Sequence, residues 1–122
     1  NGETHRVRLI GINTPESVDP RRPVQCFGLE ASKRAKELLN GKTVFLEEDP
    51  SQDSVDQFGR WLRFVWFTDG RLYNLQMIAE GYAYEYTYNV AYKYQRQFRD
   101  AQRTAASEDR GLWSPKTCNG QR

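Results

Sequence analysis

Apolar positions along the chain switch between a period of two and a period near 3.6, and each switch marks an element. From His5 to Ile12 the sequence becomes a largely apolar run (VRLIGI) that reads as a strand. Gly11 within it marks a bulge or a close backbone approach. Pro15 ends it, because proline has no N–H to give to a ladder. Phe27 to Leu39 repeats at the helical period. Phe27, Ala31, Ala35, Leu38 and Leu39 fall on one side, Glu30, Lys33, Lys36 and Glu37 on the other, and Asn40-Gly41 supplies the stop. Lys42 to Glu48 (KTVFLEE) and Trp61 to Phe67 (WLRFVWF) read as strands, with Asp69-Gly70 as a hairpin turn before Arg71-Leu72-Tyr73. Asn74 is placed to cap a short helix that runs to Glu80 and closes at Gly81. After an extended stretch (YAYEYTY), Tyr92 to Glu108 reads as the last helix. It has Tyr94, Phe98, Ala101 and Ala105 on one face and Arg96, Arg99 and Arg103 on the opposite one. The order of elements predicts a small α+β domain or a short barrel with helices attached.

A length of 122 residues predicts one domain over 1–122, and 13% aromatic residues help fill its core. Trp61, Trp66 and Trp113 have apolar neighbours and are expected in or beside that core, with His5 at the surface. No apolar run approaches the roughly 20 residues that cross a bilayer, and Asn1 to His5 lacks the pattern of a signal peptide. A soluble chain with no membrane partner is the expectation. Lys and Arg together number 18 against 16 Asp and Glu, a net charge of +2, which is too small to coat nucleic acid by bulk charge. Charge is uneven, however. Glu47, Glu48, Asp49, Asp53 and Asp56 face the single base Arg60 in the stretch from 47 to 60, whereas Val90 to Arg122 is basic. The acidic stretch reads as a solvated loop except for its last residues, and the arginine stripe of the last helix reads as a solvated outer face. Cys26 and Cys118 are two free thiols in a reducing compartment, or a disulfide tying the tail to the first helix in an oxidising one. Their spacing carries no metal signature.

The densest chemistry lies in RLIGINTPE, Arg8 to Glu16. Arg8 can fork two hydrogen bonds to a phosphate. Asn13 and the Thr14 carbonyl are oxygen ligands for a hard cation, and Glu16 is a candidate general base. In-line attack on a phosphodiester needs such a set: a base to orient water, a cation to gather oxygens, and donors for developing charge. An ordinary surface pair of Arg8 and Glu16 beside a turn is the competing reading of the same residues.

RLIGINTPE is followed in order by FGLEASKRAKELL, DQFGRWLRFVWF, DGRLYNLQMIAEGYA and a terminal GLW, and this series resembles the staphylococcal nuclease (thermonuclease) family over nearly the whole chain. The resemblance implies an OB-fold, a five-stranded barrel with about three packed helices, and calcium-dependent hydrolysis of DNA and RNA. It implies that Arg8 clamps the phosphate, that Glu16 positions water, and that Arg60 of the DxxGR element is the second arginine. Asn13 and the Thr14 carbonyl would take calcium-ligand positions. Asn13 stands where the family usually has Asp, which removes one negative charge from the metal. Asp56 and Phe58 would meet the nucleotide, Phe58 keeping a stacking face where the family has tyrosine. Tyr86 and Tyr88 fall near two nucleotide-contacting tyrosines, with packing as the alternative role.

The chain begins, relative to the family, just before its third strand, so the first two strands and a DGDT-like segment are expected to lie outside the sequence. Open edges of that kind invite a strand-swapped or edge-paired oligomer. The cysteines and the family together suggest a secreted or cell-envelope protein. A catalytically weak module of the same fold that binds nucleic acid or protein is the second functional expectation. Arg8, Glu16 and Arg60 together favour the nuclease, and Asn13 favours the module.

Overall fold

The computed structural model describes residues 2–16 and 24–121. Its elements are β1 (Val7–Leu9), β2 (Ile12–Asn13), α1 (Gly28–Leu39), β3 (Val44–Glu47), β4 (Trp61–Phe67), α2 (Tyr73–Ala79), β5 (Tyr84–Glu85) and α3 (Gln95–Ser107), then a 3-10 turn at Gly111–Trp113. This is a mixed α+β arrangement with three helices and small sheets. Among the described residues no helix is long and apolar enough to cross a membrane.

β4 is the organising strand. Its aromatic and β-branched sequence suits a central position, and it pairs in parallel with β1 (Arg8 opposite Leu62) and antiparallel with β3 (Leu46 opposite Val65). The expected strand from His5 to Ile12 is instead two short strands joined by a turn at Ile10 and Gly11. β2 leaves the first sheet to pair with β5. The described strands therefore form a three-stranded and a two-stranded sheet and do not close into a five-stranded barrel. β1 and β3 are the outer strands of the larger sheet.

Gly11 causes the break. Its φ is +83° and a Cβ there would stand 2.6 Å from Tyr92 Cε2 and 2.7 Å from Phe98 Cδ2. Only glycine accepts both the left-handed backbone and the aromatic contact. Gly11→Ala combines left-handed strain of about 1–2 kcal/mol with overpacking of about 1–3 kcal/mol, so thermal denaturation should show a loss near 3 kcal/mol, roughly 10 °C in Tm. An unchanged Tm would show that the contact is not tight.

Asn74 fixes the same turn from the other side. It does not cap α2, whose flanking residue is Leu72. It is wholly buried, accepts from the Val65 N–H at 2.9 Å and donates to the Ile10 carbonyl at 2.9 Å. A buried amide with donor and acceptor both satisfied holds β4 and the β1–β2 turn in register. The core around it gathers Ile12, Phe64, Met77, Ile78 and Phe98, all inaccessible to solvent.

The acidic stretch is less solvated than its composition suggested. Asp49 is buried, accepting from the Lys93 N–H at 2.7 Å and from the Ser51 N–H and hydroxyl at 2.9 Å each. Glu47 is half-buried and accepts from Trp66 Nε1, Tyr94 OH and Lys93 Nζ. These bonds anchor the 47–60 loop to the entry of α3. At the far end, Cys26 and Cys118 are joined by a disulfide across a separation of 92 residues, which pins the tail to the start of α1. Constraining so long a loop is worth up to about 4–5 kcal/mol in the chain-entropy model and typically 2–4. Reduction should therefore lower Tm by roughly 10 °C. An identical melting curve with and without reductant would deny the bond that role.

Candidate functional site

The register of β1 against β4 sets the site. Arg8 sits within β1 opposite Leu62, and Arg60 immediately precedes β4, so both arginines reach the same end of the sheet. Arg8 is half-buried, and its Nη1 donates to the carbonyls of Leu9 at 3.1 Å and Ile12 at 2.9 Å. The guanidinium thus closes the β1–β2 turn, and its carbon lies 5.6 Å from the centroid of the Tyr86 ring.

Arg60 is held by the turn before it. Asp56 Oδ1 accepts from the N–H groups of Phe58 at 2.8 Å and Arg60 at 2.9 Å, and Asp56 Oδ2 accepts from Arg60 Nε at 2.7 Å. Gly59 supplies the left-handed residue that this D-x-x-G-R turn requires, at φ +80°. Arg60 in turn lies over the Phe58 ring, 5.5 Å from its centroid. Partial burial works to raise the Asp56 carboxyl, but the two N–H groups and the Arg60 guanidinium outweigh it and hold the carboxyl below the usual range.

Arg8 and Arg60 line one cleft of about 530 Å³, with Leu9, Ile10 and Leu62 among its apolar lining residues and Phe58, Tyr86 and Tyr88 among its aromatic ones. Phe58 is 62% exposed and Tyr88 69%, so their ring faces are available to a ligand. Burial lowers the Arg8 pKa and the charge of Arg60 lowers it further, with Tyr86, Asp56 and Glu16 opposing. Two guanidinium groups that disfavour one another form a site that an anion between them would relieve.

The remaining predicted residues stand apart from this cleft. Asn13 is half-buried in β2 opposite Tyr84, and Thr14 and Glu16 are exposed just beyond the strand. None of the three lines the cleft. The Glu16 backbone is tied to Gln25, its N–H donating to Oε1 at 2.8 Å and its carbonyl accepting from the Gln25 N–H at 2.9 Å. Its charge nonetheless acts on Arg8. As a cation site these residues bring two neutral oxygens and one carboxylate. Among the described residues no three of His, Cys, Asp and Glu gather to hold a metal. A calcium ion takes about six to eight oxygens and its affinity rises with ligand charge, so these donors alone do not fit it, and no chemical step is derived through a metal.

Three contributors escape a sequence reading. Asn74 sits in an apolar run where its amide resembles a helix cap. Tyr92 lines the cleft and donates to Glu85 Oε2 at 2.7 Å. Burial first and that carboxylate second push its phenol up. Gln52 reaches the Val90 carbonyl at 3.3 Å and closes the far side of the cleft. A polar residue within an apolar run was the signal available for Asn74, whereas Gln52 stands in the polar stretch SQDS, which sets it apart from no neighbour.

The chain matches the family described as staphylococcal nuclease homologue over residues 6–115. It is 37% identical over 114 residues to the thermonuclease of Staphylococcus hyicus, covering 93% of this chain and 66% of that protein. Against the endonuclease YncB of Bacillus subtilis it is 38% identical over 115 residues, covering 93% of this chain and 54% of that one. The prophage-derived endonuclease YokF of the same organism is 39% identical over 115 residues, with 38% of its length covered. The chain thus spans from about two thirds of the staphylococcal protein down to well under half of the prophage one. Its ordered motifs, its paired-arginine cleft and this similarity along nearly its whole length place the chain in the staphylococcal nuclease family.

Proposed function

We propose that this chain hydrolyses phosphodiester bonds of DNA or RNA. The observation that carries the reading is the convergence of Arg8 and Arg60 on one cleft rimmed by exposed aromatic rings. In this proposal a phosphate enters between the two guanidinium groups, and Phe58, Tyr86 and Tyr88 stack against the neighbouring bases or sugars. Asp56 sets Arg60 and contributes to the nucleotide site. Glu16 takes a proton from the attacking water and orients it in line with the leaving oxygen. As the phosphorus is attacked, negative charge grows on its oxygens, so both arginines interact more strongly with the transition state than with the bound substrate.

One observation favours the second reading, a module that binds nucleic acid without cutting: Glu16 lies outside the cleft that holds the arginines. Calcium dependence is the family's expectation for this chain, with Asn13 and the Thr14 carbonyl at the positions its ligands would take, a donor set that alone does not fit the ion. The test is incubation of a labelled oligonucleotide with calcium and with a chelator, binding being measured in parallel. Cleavage with calcium alone supports the nuclease. Binding without cleavage at any calcium concentration supports the module, and the absence of both binding and cleavage refutes both.

The compartment we propose is the cell envelope or the medium, since the Cys26–Cys118 disulfide persists under oxidising conditions. An edge-paired assembly of two copies belongs to the same proposal. Phe45 and Leu46 on the outer strand β3 are both exposed, and a monomer in sedimentation at high concentration would remove it.

A further inference from the structure

The arginine stripe of α3 has no part in the cleft, yet its placement is not that of an arbitrary outer face. The helix side next to its buried residues faces the segment that carries the cleft tyrosines. Gln102 Oε1 accepts from the Glu85 N–H at 2.7 Å, and Gln95 Nε2 donates to Thr87 Oγ1 at 2.8 Å. Thr87 lies between Tyr86 and Tyr88, both of which line the cleft. Arg99, Arg103 and Arg96 follow in the next sector of the helix, within roughly 60° of one another at about 100° per residue. The basic band therefore starts at the aromatic rim.

Two of the three arginines pair with an acid, yet Arg99 and Arg103 keep 52% and 71% of their side chains exposed. Glu85 is the acid nearest Arg99, but the contact is long, at 3.4 Å, and the Glu85 side chain is only 10% exposed. Its Oε2 already accepts from Tyr92 OH and Thr87 Oγ1 at 2.7 Å each. Arg103 pairs with Asp100 at the open surface, where such pairs are weak and screened. Arg96 is exposed, with no acidic partner among the described residues. Another part of the cleft lining is acidic: Asp53 and Asp56 belong to it, in the loop that also carries Glu47, Glu48 and Asp49. A polyanion leaving the cleft is repelled by that loop and attracted by α3.

We infer that α3 is the track for the rest of a long nucleic-acid strand, with Arg96, Arg99 and Arg103 contacting its phosphates beyond the one held by Arg8 and Arg60. The inference rests on the proposed nuclease reading and adds a preference for long substrates over short ones. Contacts of this kind carry no sequence information and raise affinity in a salt-dependent way.

The test compares hydrolysis of a long single-stranded DNA and of a dinucleotide by the wild-type chain and by the Arg96→Gln/Arg103→Gln variant. Both positions are exposed, and glutamine is a good helix former, so the fold should persist. Removing two phosphate contacts should raise KM for the long strand about tenfold at low salt and reduce the slope of log affinity against log salt by roughly 1.4. The dinucleotide should be cut as before. A KM for the long strand that does not move, or a dinucleotide KM that rises equally, overturns the inference. The double charge reversal Arg96→Glu/Arg103→Glu should exceed the neutral double variant in the same direction, and a smaller effect also counts against it. Failure of the wild-type chain to cut either substrate is a different result, one that removes the nuclease reading itself.

Discussion

Glu16→Gln is expected to slow phosphodiester hydrolysis by about 10²–10⁴-fold, the usual contribution of a positioned general base, while leaving oligonucleotide affinity unchanged. The separation of these effects follows from where Glu16 sits. It lies outside the cleft proposed to hold the phosphate, and among the described residues its hydrogen bonds are the two that its backbone makes with Gln25. Glutamine keeps the backbone and the side-chain shape and removes only the capacity to take a proton. An equal fall in affinity and rate would show Glu16 to be a binding residue. A variant as active as wild type would show that another group activates water.

Arg60→Ala should lower kcat by about 10²–10³-fold, comparable to removing one donor from an oxyanion site. It also strands Asp56. That carboxyl is held in its charged form by Arg60 and two N–H groups, so its partner's loss leaves a negative charge facing the incoming phosphate. Arg60→Ala/Asp56→Asn should therefore bind substrate better than Arg60→Ala alone. Arg60→Lys should recover little, because a point ammonium cannot bond Asp56 through one nitrogen and present a planar fork to phosphate. Full recovery by lysine would mean that charge alone matters at this position.

The legible parts of this molecule were those in which one residue type does one job. The apolar spacing of Ala31, Ala35, Leu38 and Leu39 marked α1, and the aromatic run from Trp61 to Phe67 marked β4 with its boundaries. Gly11 announced a close approach but not its partners, since Tyr92 and Phe98 reach it from distant sequence. That contact splits one expected strand into β1 and β2, and β2 turns away to pair with β5 in a second sheet. Asn74 was misleading for a related reason. An amide before a short helix satisfies a cap rule locally, and only the packed fold offers it Val65 and Ile10 as better partners.

For the site, Arg8 was nominated by its own chemistry and Arg60 by the family resemblance, and the parallel register of β1 and β4 explains why they meet. The same reading grouped Asn13, Thr14 and Glu16 with Arg8 because they are adjacent in sequence. The β1–β2 turn separates them, turning Arg8 into the cleft and leaving the other three beyond it. Charge summed by segment showed an acidic loop and a basic C-terminal third. It could not show that these two segments meet at the cleft, which is what gives the arginines of α3 a direction to act in.

The central claim is that Arg8 and Arg60 hold the same phosphate, and a double-mutant cycle on oligonucleotide hydrolysis tests it most directly. Groups that act as one unit lose their effect together. Arg8→Ala/Arg60→Ala should therefore be little slower than the slower of the two single variants, with all three far below wild type. Single-variant losses that multiply in full would contradict the shared phosphate, and a double variant that cuts at the wild-type rate would contradict the site itself.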